Sequence, residues 1–248
     1  MIGTPLTRPE RALAIGAHPD DVEFGCGATL ATWAAAGTHC EILVLTDGSK
    51  GTWDADADSA ALVATRREEQ RAAAAALGVA DVHFGRAVDG ELEVTMDARR
   101  EVCTVIRAVR PDVVLGHDPW KRYRLHPDHH AAGRLVIDGI VAARDPHFFP
   151  DTGRPHRPAA LLLFEAEDVD HLEPVDAVAL RAKLDALLAH RSQWRSTMGI
   201  QGDATGNEAE LQRQAFERRV TDDLVAVPGP GPGANAAVGE PFKLLTEL

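Results

Sequence analysis

Cysteine, basic residues and long apolar runs are all scarce in this 248-residue chain, and each shortage removes a class of function. The three cysteines, Cys26, Cys40 and Cys103, form no CxxC pair. So few, in an odd number, exclude a disulfide framework or a cysteine-rich zinc site and read as reduced thiols of a cytoplasmic protein. His, Asp and Glu are left as metal ligands. Lys and Arg number 26 against 38 Asp and Glu, a net charge of -12. With no basic run, nucleic acid is not an expected partner. The same charge disfavours an anionic membrane surface. No apolar stretch approaches the roughly 20 residues of a bilayer span, and the first nine residues lack the apolar centre of a secretory signal.

What the chain does have is an alternation of short apolar runs with helical patterns, the signature of βαβ units around a parallel sheet. Apolar runs at Arg11–Ala17, His39–Thr46, Asp81–Gly85, Asp112–Gly116 and Pro158–Phe164 predict five strands. Helices are predicted over Glu23–Ala36, Ser59–Leu77, Asp97–Arg110, from His126 to about Ala143, and over Asp176–Trp194. Gly37 and Gly78 stand where helices end. The expected fold is one Rossmann-like three-layer α/β/α domain with a mostly parallel sheet, spanning residues 1–226. Residues 227–248 belong to the same domain: a Pro/Gly-rich connector or flap at Val227–Gly233 and a short terminal piece.

Chemistry concentrates in two turns. His18-Pro19-Asp20-Asp21 stands where the first strand runs out, and His126-Pro127-Asp128-His129-His130 opens a helix after the fourth strand and its loop. Carboxyl ends of parallel strands are where open α/β sheets bind ligands. Either turn alone also reads as a helix N-terminus, where Asp caps well and carboxylates suit the dipole. Two His-Pro-Asp turns at equivalent places in one sheet are harder to explain that way. A catalytic zinc takes three protein ligands and leaves one position open. The residues offer His18, one of Asp20 and Asp21, and one of His126, His129 and His130, and spacing selects no further.

At these residues the chain resembles the PIG-L/LmbE-like zinc-dependent de-N-acetylases. Thr46-Asp47-Gly48 through Gly51, Arg66-Arg67-Glu68-Glu69 and Leu77-Gly78-Val79 also match the family pattern. The match covers roughly the first 145 residues; beyond it only His190 and Gln193 look familiar. The resemblance implies that His18, Asp21 and His129 ligate zinc, with Fe2+ as the alternative ion. It makes Asp20 the general base on a zinc-bound water and then the acid toward the leaving amine. It places a protonated His126 beside the oxyanion with Asp128 as its orienting partner, and Arg66 on substrate hydroxyl or anionic groups. At Arg124, two residues before His126, some relatives carry a tyrosine that assists the oxyanion; here Tyr123 is next door and out of register.

The implied activity is removal of an acetyl group from an N-acetylated amino sugar of the N-acetylglucosamine type, by a protein that can self-associate into a homo-oligomer. The rival readings are a metal-dependent amidase on another acyl amide, such as a thiol conjugate or an antibiotic pseudo-aglycone, and a non-catalytic metal- or nucleotide-binding module. Gly25-Cys26-Gly27 lacks the third glycine of a dinucleotide fingerprint, so its glycines are expected to bring the helix close to the metal loop. His117 and Asp118 also end a strand at the active edge and are expected near the site. His83, His147, His156 and His171 have no partner at ligand spacing. Trp53 and Trp120 sit in loops of the same edge, where they would line a sugar pocket.

Overall fold

The computed structural model describes residues 5–201, 205–227 and 237–248. Four parallel pairings build its first half. β1 (Arg11–Gly16) lies between β2 (His39–Thr46) and β4 (Val113–His117). Outside them lie β3 (Asp81–Ala87) against β2 and β5 (Ala160–Phe164) against β4. The near-continuous apolar sequences of β1, β2, β4 and β5 follow from burial on both faces, whereas β3 is only partly buried. Ala12, Ala14, Ile42 and Val44 pack toward one helical layer, whereas Leu13, Ile15, Leu43 and Leu45 pack toward the other.

The first layer holds α1 (Asp21–Ala35), α2 (Ser59–Leu77) and α5 (Ala177–Ala189); the second holds α3 (Met96–Val109) and α4 (Pro127–Arg144). Local caps set several boundaries. The Asp58 carboxylate accepts the amides of Ala60 and Ala61 at the start of α2, and Gly78 closes it at φ +74°.

The C-terminal part differs from the expectation. The sheet continues past β5 with β8 (Ala237–Leu245) and then β6 (His171–Val175), both pairings antiparallel, and β7 (Val225–Val227) also pairs with β8. Proline hides β8 and β6 from a strand pattern. Pro241 lies just beyond the Phe242–Leu245 stretch that pairs with β5, and Pro174 sits on the terminal strand, positions where a missing N–H is tolerated. The helix expected to run to Trp194 stops at Ala189 and continues as a 3-10 turn, Arg191–Gln193, and a π-helical turn, Trp194–Met198. A further helix, α6 (Gly206–Asp222), had no counterpart in the sequence reading. Of the expected flap, residues 228–233 lie outside the described residues.

β8 also anchors the helix that carries the first motif. α1 is kinked at Cys26 (φ -150°, ψ 20°), and Glu240 caps its second half by accepting the amides of Ala28 and Thr29 at 3.1 and 2.7 Å. Buried Lys183 completes the lock, donating to Glu240 at 2.6 Å and to the Phe24 carbonyl at 2.7 Å. Lys183→Met is expected to leave Glu240 charged and without a counter-ion at 1% exposure. Loss of one partner of such a pair costs about 3–5 kcal/mol, to be read as a fall in the urea midpoint of unfolding.

Candidate active site

Both motifs meet where the order of strands reverses, at the carboxyl ends of β1 and β4. Beyond β1 the chain turns through His18–Asp21, pinned by the His18 amide donating to Asp21 Oδ2 at 2.7 Å. His18 Nδ1 then lies 3.2 Å from Asp21 Oδ2 and 3.2 Å from His129 Nε2, and His129 Nε2 lies 3.3 Å from Asp21 Oδ1. Tetrahedral ligands on zinc bonds of about 2.0–2.1 Å sit about 3.3 Å apart. The His18 and His129 nitrogens stand at that spacing, and Asp21 meets one with Oδ2 and the other with Oδ1, a donor set that suits a zinc-sized ion.

Surrounding residues fix those donors. His18 Nε2 faces Asp128 at 3.1 Å and Asp89 at 3.2 Å, which leaves Nδ1 for the ion. His117 bridges Asp21 Oδ2 at 3.2 Å and Glu165 at 3.4 Å. Burial works against a charged His18, but Asp21 and hydrogen bonds to Asp128, Asp21 and Asp89 outweigh it and push its pKa up to about 12. Three carboxylates around one imidazole make a pocket that calls for positive charge.

Asp20 stands apart from the donor triangle. Its backbone is left-handed at φ +100°, a strained conformation of a kind that recurs at functional sites. Gln70 holds the strain in place, accepting the Asp20 amide at 3.1 Å while its own amide donates to buried Glu23 at 2.5 Å. Arg66 NH2 donates to the Pro19 carbonyl at 2.6 Å and lies 3.4 Å from Asp20 Oδ2. Burial raises the Asp20 pKa to about 6, against the charges of Arg66 and His190, so this carboxyl titrates close to neutrality. Asp20, the three donors and Trp53 line one open cavity of about 410 Å³, a size suited to a small ligand.

Residues 13–140 match the family described as PIG-L, GlcNAc-PI de-N-acetylase. The chain belongs to the PIG-L family. Among PIG-L relatives, the diacetylchitobiose deacetylase of Thermococcus kodakarensis is 36% identical over 197 residues, 78% of this chain and 73% of that protein. The 1D-myo-inositol 2-acetamido-2-deoxy-alpha-D-glucopyranoside deacetylase of Actinosynnema mirum is 31% identical over 250 residues, 82% of this chain and 88% of that protein. The N,N'-diacetylchitobiose deacetylase of Pyrococcus horikoshii superposes with a TM-score of 0.79 at 25% identity, over 96% of this chain and 84% of that one. A 4-carboxy-2-hydroxymuconate hydratase from Pseudomonas putida shares the fold at TM-score 0.69 and 21% identity, so the fold by itself does not select a reaction.

Against the PIG-L pattern, the structure reassigns several residues. Asp128 orients His18 rather than His126, because the first turn of α4 aims its carboxylate inward, where it also accepts the Gly90 amide at 2.7 Å. His126 caps α4 from an exposed position, its ring 4.5 Å from that of His18. Burial and the His18 charge lower its pKa in the metal-free protein. His130 is no ligand: its two ring nitrogens meet the carbonyls of Pro119 and Arg124. Arg66 is only 3% exposed and braces Pro19, Gly48 and Asp20 along one wall of the cavity. Gly51 is required there, since a side chain would collide with the Arg66 guanidinium.

Arg124 points away from the cavity and pairs with Glu165 at 2.7 Å. Its Nε donates to His129 Nδ1 at 2.8 Å. An ion on Nε2 needs the His129 proton on Nδ1, so Arg124 must then turn fully to Glu165. Tyr123 is 88% exposed, out of register as the sequence implied. Trp53 lines the cavity and Trp120 does not. Gly25 packs on the Phe164 ring of β5, not on the metal loop.

The sequence reading passed over Asp89, Gln70, Glu23 and Lys50. Asp89 follows β3 at the same carboxyl edge, and that position was its one available signal. Gln193, outside the strong match, reaches the cavity through the turn after α5 and donates to the Gly51 carbonyl at 2.9 Å.

Proposed function

We propose that this protein is a zinc-dependent N-deacetylase of N-acetylglucosamine-type conjugates. The observation that carries the reading is a three-donor set at zinc spacing beside a fourth, unligated and strained carboxylate, Asp20. His18, Asp21 and His129 would hold the ion, and the same nitrogen and oxygen donors also accept Fe2+. When bound, the ion supplies Lewis acidity, making water acidic near neutral pH and polarising the acetyl carbonyl.

The chain's own residues account for the remaining chemistry. Asp20 takes a proton from the attacking water as its oxygen bonds to the acetyl carbon. It then gives that proton to the amide nitrogen, so that the C–N bond breaks and acetate and a free amine leave. His126 donates a hydrogen bond to the oxygen that gains charge. Gln70 and Arg66 keep Asp20 aimed, and Asp128 keeps His18 aimed. Trp53 offers an apolar face to a sugar ring at the cavity mouth.

N-acetylglucosamine is the part shared by the substrates in the relatives' names, which supports the choice of substrate class. Three free, buried cysteines support a cytoplasmic setting. No described helix is long and apolar enough to cross a membrane. The zinc-loaded protein is expected to release acetate from at least one of N-acetylglucosamine, diacetylchitobiose and an inositol-linked N-acetylglucosamine. Zinc at one equivalent or more with no acetate from any of them overturns this substrate class.

A further inference from the structure

A second cluster of metal-binding side chains lies at the opposite end of the sheet, where β2 and β3 begin. His39 and Glu41 are two apart on β2, and Asp81 and His83 are two apart on β3, so each pair shares a face. The parallel register sets Glu41 beside Asp81 and Leu43 beside His83, which brings both pairs to the same face. Glu41 is the centre. Its Oε1 lies 2.9 Å from His39 Nε2 and its Oε2 lies 2.6 Å from His83 Nε2. One donor atom each from Glu41, Asp81 and His83 falls within a 4.8 Å span. The sequence had left His83 without a partner, because its partner lies 42 residues away on the neighbouring strand.

The set is richer than one carboxylate needs. Glu41 is 7% exposed and already has a cation, the Arg11 guanidinium at 3.4 Å, which also donates to the Val109 carbonyl. The His83 imidazole with the Glu41 and Asp81 carboxylates supplies the mixed nitrogen and oxygen donors that suit zinc, nickel or copper, and His39 stands on the other oxygen of Glu41. Ligands of a tetrahedral ion stand about 3.3 Å apart. At that spacing the imidazoles stand back from Glu41 by about 0.4 and 0.7 Å, and both reach solvent, with side chains 46% and 32% exposed.

We propose that Glu41, Asp81 and His83, with His39 alongside on the other oxygen of Glu41, form a second divalent-cation site of the zinc class, separate from the active site. An ion there ties β3, the terminal strand on that side, to β2. The test is equilibrium dialysis of the full chain against excess Zn2+ with metal analysis, which reads stoichiometry whatever the substrate proves to be. Two equivalents are expected for the unaltered protein. One is expected for His39→Ala/His83→Ala, with acetate release unchanged, and one for Glu41→Gln, which removes the central charge by a different route. A folded state is checked by circular dichroism for each. One equivalent on the unaltered protein overturns the proposal, as do two equivalents retained by either folded variant.

Discussion

Asp20→Asn is expected to lower kcat for acetate release by about 10³–10⁴-fold while zinc content stays at the level of the unaltered protein. General acid–base catalysis contributes roughly 10²–10⁴-fold, and Asp20 fills both roles in turn, so the upper part of that range applies. Metal content should hold because Asp20 contributes none of the three mutual contacts at 3.2–3.3 Å that define the donor set. The fold should hold as well. Asparagine is among the side chains that tolerate the left-handed backbone at φ +100°. Its carbonyl can still accept from Arg66, and the Gln70 contact is to the backbone amide.

The sign of the stability change follows from the raised pKa. In the metal-free protein a folded-state value of about 6 lies above the ordinary 3.8, so the unfolded chain releases this proton first. Stability at this residue therefore falls as pH rises from about 4 to about 6. Asparagine removes that penalty, so metal-free Asp20→Asn is expected to melt at or above the unaltered protein at pH 7. A variant that loses zinc and melts early would make Asp20 a structural cap, the role that the motif alone equally supports.

The parallel half of the fold was legible because buried parallel strands read as apolar runs and their helices carry local caps. β2 and α2 fall within the expected limits for that reason. β6 and β8 were not legible, since Pro174 and Pro241 break a strand pattern and what makes them strands is antiparallel pairing with distant partners. The end of α5 was missed because its helical pattern continues past Ala189, whereas buried His190, facing Glu23 at 3.7 Å, diverts the chain and brings Gln193 to the cavity.

Within the site, the two His-Pro-Asp turns announced themselves by composition and by position after β1 and β4. The residues around them did not. Gln70 lies mid-helix among Arg and Ala, and Asp89 is one carboxylate among many; only the fold aims one at Asp20 and the other at His18. The Asp128 partner was misjudged for a related reason. The family resemblance paired it with His126, whereas the direction of the first turn of α4 brings it to His18.

His129→Ala is expected to remove the active-site ion and with it essentially all acetate release, a larger loss than Asp20→Asn. His129 Nε2 contacts both other donors, so its deletion leaves two ligands where a catalytic zinc uses three. Without the ion, water returns from a pKa of about 7 to about 15.7, a change that Asp20 at about 6 cannot offset. Asp128→Asn supplies the graded comparison. It weakens the hold on His18 Nε2 but leaves Asp89 at 3.2 Å, so metal affinity should fall only about 10–100-fold, and excess zinc should restore the rate. Zinc affinity from chelator competition, measured beside acetate release, separates the two positions. Full activity of His129→Ala, or of the unaltered protein dialysed free of metal, would move the chemistry away from the donor triangle.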